Sequence, residues 1–90
     1  MSIQLILYTR TDCHLCEDMK LALSRLISEL DLKIEIISID GNRELELAYG
    51  ARVPVLVLDE EIICEHFLDR AMLNRAIDKA RTRHVDEKHS

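Results

Sequence analysis

Two cysteines three residues apart are the side chains of this sequence best suited to chemistry: Cys13 and Cys16, in Thr9-Arg10-Thr11-Asp12-Cys13-His14-Leu15-Cys16-Glu17-Asp18. An apolar run, Leu5-Ile6-Leu7-Tyr8, precedes them and a long helical pattern follows, so the pair falls at a strand-to-helix turn. The first four N–H groups of a helix have no partner inside it. A sulfur anion at Cys13 accepts from them as a capping side chain does, and the helix dipole favours its charge. The expected result is a lowered thiol pKa and a more reactive sulfur, because the thiolate is the attacking species. Cys16, one turn further on the same face, is placed to attack a mixed disulfide formed on Cys13 and close a small ring. Arg10, and His14 when protonated, reinforce the pull on the Cys13 proton, whereas Asp12, Glu17 and Asp18 oppose it. His14 reads first as an exposed spacer between the cysteines and second as a general base.

The chain has three cysteines, an odd number that argues against a scaffold of paired thiols. In a reducing compartment a close pair is catalytic or metal-binding rather than structural. Cys64, the third, reads as a small buried apolar residue, with a further redox cysteine as the alternative. A second alternative joins Cys13, Cys16, Cys64 and His66 as a zinc set, although it lacks a second close-spaced ligand pair.

The elements that must hold these residues follow from periodicity. Ile3 to Thr9 reads as a strand whose continuous apolar run suggests burial on both faces. Leu15, Met19, Ala22, Leu23, Leu26, Ile27 and Leu30 recur at helical spacing, and Lys33 to Ile39 is β-branched and strand-like. Strand, helix, strand is a βαβ unit. Asn42 reads as the N-cap of a short helix from Arg43 to Tyr49 that stops at Gly50. Val55 to Leu58 and Glu61 to Cys64 form a hairpin about Asp59-Glu60, and a last helix spans Phe67 to Arg81. The order βαβ, short helix, ββα predicts an α/β fold with a four-stranded mixed sheet, and Cys-x-x-Cys at its first helix is a thioredoxin-like redox signature. One domain is expected over residues 1–82, followed by a polar, disordered tail over 83–90.

Composition removes other classes. A net charge of -5 gives no footprint for nucleic acid or anionic lipid, and 3% aromatic residues leave no stacking platform for single strands. Met1-Ser2-Ile3-Gln4 has no basic region and the apolar run after it is too short for a leader or a membrane span, so a cytoplasmic monomer is expected. There is no Gly-rich phosphate loop, and the acidic clusters Glu44/Glu46 and Asp59-Glu60-Glu61 read as solvated faces.

Pro54 is the single proline and stands at the start of a strand, where its missing N–H costs least. Taken with Leu7-Tyr8-Thr9-Arg10-Thr11-Asp12-Cys13-His14-Leu15-Cys16, the stretch Tyr49-Gly50-Ala51-Arg52-Val53-Pro54-Val55-Leu56 resembles the small glutaredoxin-like proteins of the thioredoxin superfamily, over roughly residues 3 to 80. The resemblance implies a thioredoxin-like fold and thiol-disulfide oxidoreductase activity, with Cys13 as nucleophile, Cys16 as resolving thiol and Arg10 as the basic residue near the thiolate. It also implies a cis Val53-Pro54 bond whose backbone pairs with the substrate's cysteine. Protein disulfides or glutathione adducts would be the substrates, with glutathione or a reductase as electron donor and no tightly bound cofactor. The chain departs from the family in carrying His14-Leu15 between the cysteines. It also carries Cys64-Glu65-His66-Phe67-Leu68-Asp69 where glutaredoxins have a Gly-Gly pair and an Asp that bracket glutathione. Two other classes stay open: a metal or iron-sulfur carrier, and a redox-inactive adaptor that uses the same groove.

Overall fold

The computed structural model describes the backbone of residues 3–89 and the side chains of residues 3–82. Its elements are β1 (Ile3–Thr9), α1 (His14–Leu30), β2 (Leu32–Ser38), α2 (Arg43–Tyr49), β3 (Val55–Leu58), β4 (Glu61–Glu65) and α3 (Arg70–His89). They form one four-stranded sheet in the order β2-β1-β3-β4. β1 runs parallel to β2 and antiparallel to β3, and β3 and β4 make an antiparallel hairpin. This is the mixed sheet and element order that the sequence predicts.

Side chains alternate along a strand, and the core follows one side of that alternation. Ile3, Leu5 and Leu7 of β1 are buried with Leu56 and Leu58 of β3, against Met19, Leu23 and Leu26 of α1 and Leu73, Ile77 and Ala80 of α3. Full burial of a leucine such as Leu5, Leu7 or Leu73 is worth about 1.5–3 kcal/mol. The other side of β1 is wetter: Gln4 is exposed and Ile6 and Tyr8 are half-buried. The expectation that β1 is buried on both faces is thus corrected. Both long helices pack on one face, and α2 brings Leu45 and Tyr49 to a separate cluster with Tyr8, where the two tyrosine rings stack.

Element ends are set by side chains. Asn42 Oδ1 accepts the Leu45 N–H at 3.1 Å and caps α2. Gly50 ends that helix in right-handed geometry (φ -48°), so its lack of a side chain serves close approach: a Cβ there would stand 2.5 Å from the Glu46 carbonyl oxygen. Asp31 closes α1 in the left-handed region (φ 54°). α3 starts at Arg70, three residues later than Phe67, because Asp69 Oδ1 accepts the Met72 N–H at 3.0 Å. Its backbone continues to His89, through most of the segment expected as a disordered tail. Residues 82–89 contain neither Gly nor Pro to stop a helix. β2 begins at Leu32 and β4 extends to Glu65, one residue beyond each expected limit.

At the hairpin, Asp59 (φ 50°) and Glu60 (φ 68°) both occupy the left-handed region, as a mirror-image two-residue turn requires. The pairing then slips by one residue between Leu56 and Val57. Ile63 is the extra residue, so Cys64 stands opposite Leu56 and Glu65 opposite Val55.

Candidate active site

The loop between β1 and α1 carries the cysteines. Thr9, buried at the end of β1, accepts the Ile39 N–H at 2.8 Å and fixes the loop's near end. Further on, the Thr11 N–H donates to Asp40 Oδ2 at 2.8 Å, and the Thr11 hydroxyl donates to the same oxygen. These bonds hold the Asp40 carboxyl below its usual range. Asp12 (φ 57°) turns the chain, and Cys13 follows in extended geometry as the N-cap of α1. Its Sγ accepts the Cys16 N–H at 3.1 Å, the arrangement expected for a helix-capping sulfur. Cys13 and Cys16 are joined as a disulfide, with Cα atoms 5.2 Å apart. Cys13 is partly exposed and Cys16 is buried at 1%, so one sulfur faces the solvent side and the other lies beneath it.

The floor of this loop is a small apolar cluster separate from the main core. Cys16, Ile39 and Val53 are its buried members, with Tyr8, Cys13, Leu45 and Tyr49 packed against them. Val53 is therefore brought beside the cysteines although the two motifs are far apart in sequence. The Val53-Pro54 bond is cis. The Val53 N–H donates to the Tyr49 carbonyl at 3.0 Å, and the Pro54 carbonyl accepts the His66 N–H at 2.9 Å. Above this cluster the Tyr8 and Tyr49 rings stack with centroids 4.5 Å apart. Burial, then Tyr49 and Glu35, push the Tyr8 hydroxyl above its ordinary value.

Of the other residues singled out by sequence, Arg10 and His14 line the open depression around Cys13 together with Thr11, Asp12, Glu17 and Lys20. Arg10 Nη1 donates to the Gly50 carbonyl at 3.3 Å, which joins this loop to the end of α2. His14 is 90% exposed and faces Asp18 at 3.6 Å along the helix. Lys20 meets Glu17 at 2.8 Å. Periodicity carries the signal for this last pair, since positions 13, 17 and 20 share a helical face. No local signal announces Arg52 and Glu65. Arg52 Nε donates to Glu65 Oε2 at 2.9 Å and Nη2 donates to the same oxygen, with the guanidinium carbon 5.9 Å from the Tyr49 ring centre.

Cys64 is half-buried against the main core rather than grouped with the other cysteines. Burial pushes its thiol above the ordinary value, although an N–H bond from Asp69 pulls the other way. Among the described residues no group of three or more His, Cys, Asp or Glu side chains is placed to hold a metal ion. The zinc set of Cys13, Cys16, Cys64 and His66 is corrected accordingly: His66 turns its Nε2–H to the Ala51 carbonyl at 3.0 Å, and the Cys64 sulfur faces Leu56's side of the sheet. Asp69, in the stretch that stands where glutaredoxins bracket glutathione, caps α3 with its carboxylate.

Three comparisons bear on this arrangement. The family model of the glutaredoxin-like domain (DUF836) matches residues 4–78. Among solved structures, the chain is similar to protein Ne2328 from Nitrosomonas europaea, determined by solution NMR, at 38% identity over 83% of this chain and 91% of that one (TM-score 0.75). A structural-genomics target protein from X. campestris matches at 34% identity over 83% and 96% (TM-score 0.67). Thioredoxin 1 from Thermosipho africanus, at 16% identity over 98% and 100% (TM-score 0.54), shares the fold. No curated protein matches the sequence significantly.

Proposed function

The chain belongs to the glutaredoxin-like domain family, and on that footing we propose that it is a thiol-disulfide oxidoreductase that reduces disulfides through the Cys13/Cys16 pair. The reduced protein holds Cys13 as a thiolate at the start of α1. Its Sγ attacks one sulfur of the substrate disulfide, a mixed disulfide forms, and the other substrate sulfur leaves as a thiolate that takes a proton from water. Cys16, as a thiolate, then attacks Cys13 Sγ, the mixed bond breaks, and the second substrate thiol is released. The two electrons now missing from the cysteine pair return from a cellular thiol, either two glutathione molecules or the dithiol of a reductase.

One observation carries this reading: the Cys16 N–H points at Cys13 Sγ at 3.1 Å while Cys16 itself is buried below. A donor already aimed at the sulfur stabilises its anion without reorganisation, which favours Cys13 both as attacking and as leaving group. The Cα separation of 5.2 Å lies within the range a disulfide spans. Burial keeps Cys16 from external disulfides and reserves it for the internal step. On this reading the open rim of Arg10, His14 and Lys20 receives the substrate chain, and Val53, packed in the cluster with both cysteines, offers it a backbone edge.

Substitution separates the roles. Cys16→Ser is expected to accumulate a mixed disulfide with a peptide disulfide, visible as added mass that a reductant removes, and Cys13→Ser to abolish turnover. Unchanged turnover in Cys13→Ser would end the proposal.

A further inference from the structure

The stretch beside the sulfurs, residues 50–53, has no regular secondary structure of its own to hold it. Its backbone amides at Arg52 and Val53 both donate to the Tyr49 carbonyl, at 2.8 and 3.0 Å. Two bonds to one oxygen at a helix end are weak restraint for an edge that must meet a substrate within a few tenths of an ångström. Arg10 on the Gly50 carbonyl and His66 on the Ala51 carbonyl hold its near end, and the Arg52 side chain adds the tie between the elements on either side. It donates twice to the Glu65 carboxylate on β4, reaches back to the Ala48 carbonyl at 3.4 Å on α2, and lies over the Tyr49 ring. Glu65 in turn stands at the β4 end, immediately before His66, whose N–H holds the Pro54 carbonyl and whose ring holds Ala51. One guanidinium thus links the helix before the Val53-Pro54 edge to the strand after it.

The side chains are 43% and 30% exposed, and neither touches the sulfurs or fills the core. The hydrogen bonds between them push the Glu65 carboxyl below and the Arg52 guanidinium above their ordinary ranges, so the pair stays ionised through the working pH. A forked, charge-assisted contact fixes direction as well as distance, which a lysine at this position would not do.

We propose that Arg52, paired with Glu65, is the positioning residue of the substrate edge: it sets the place of Val53 for peptide disulfides and leaves the chemistry of the cysteine pair unchanged. This rests on the oxidoreductase reading above. Substrates long enough to lie along the edge depend on the clamp, and small disulfides that meet only Cys13 do not.

The test uses the full chain and four variants: Arg52→Ala, Arg52→Lys, Glu65→Ala and the double variant Arg52→Ala with Glu65→Ala. Two substrates are compared, a disulfide-bonded peptide of neutral side chains and bis(2-hydroxyethyl) disulfide. The single variants are expected to raise KM for the peptide by about tenfold, the effect of losing one charge-assisted contact, with kcat nearly unchanged. Turnover of the small disulfide and the reduction potential of the cysteine pair should stay at the wild-type value. The double variant should lose no more than Arg52→Ala alone, because the two side chains act as one contact. Amide exchange at Val53 supplies a readout independent of turnover: it should quicken in the single variants and no further in the double variant. Peptide KM unchanged in Arg52→Ala, equal losses on both substrates, or Val53 exchange indifferent to Arg52 would each overturn the clamp. If the wild-type protein reduces neither disulfide, the oxidoreductase reading fails, while the Val53 exchange still decides whether Arg52 holds the edge.

Discussion

At the scale of single residues, the three cysteines are told apart by what surrounds each sulfur. Cys13 caps a helix, Cys16 is sealed below it, and Cys64 sits half-buried where removal from water disfavours its anion. After reduction, iodoacetamide at neutral pH is expected to label Cys13 at least about tenfold faster than Cys64, because reaction follows thiolate population. Peptide mapping of the alkylated protein checks this, and equal labelling would refute it. Asp40 makes a second prediction. Its folded-state carboxyl is depressed by Thr11, so its contribution to stability is complete above the ordinary carboxylate range and vanishes as pH falls through the depressed value. Asp40→Asn should therefore lower the melting temperature near neutrality and approach wild type as the pH falls below the ordinary carboxylate range, and a difference that does not shrink on acidification would contradict it. The cysteine pair at the start of a helix is legible from spacing and periodicity, since both are local signals. Arg52 and Glu65 were not, because their meeting depends on a strand pairing and a slipped register that no local pattern encodes.

At the scale of elements, most of the order could be read from periodicity, and the differences are instructive. The Asp59-Glu60 turn lacks the glycine that such turns favour, yet both residues adopt positive φ. Strand pairing on either side imposes the turn, and the hairpin carries the strain. Glu60→Gly would put glycine where φ is 68° and is expected to stabilise the protein by up to about 1 kcal/mol, measured as a shift in denaturant midpoint. A loss of stability would show that the Glu60 side chain does more for the hairpin than its backbone costs. Asp69 illustrates the opposite case. As an acidic residue ahead of an apolar periodic run it signals an N-cap, and that capping geometry, rather than hydropathy, decides where α3 begins.

At the scale of the whole molecule, the sheet is covered unequally, and this was the least readable property. An apolar strand such as β1 looks the same whether helices cover one face or two; only the packing of α1 and α3 on a common side distinguishes them. That shared core dominates stability. Leu73→Ala, which empties a fully buried site between α3 and the sheet, is expected to cost about 2–5 kcal/mol while the molecules that remain folded still turn over bis(2-hydroxyethyl) disulfide normally. Denaturant melts paired with activity per folded molecule would test both halves. The cysteine loop rests on its own cluster, with Ile39, Val53 and Tyr8, outside this core. Because the two dry regions share no buried residue, local opening at the cysteine end is expected to proceed without unfolding the main core, which amide exchange at Val53 and Leu73 would compare. On the oxidoreductase reading proposed above, the apolar keel under α1 and α3 stays shut while the far end of the molecule changes state.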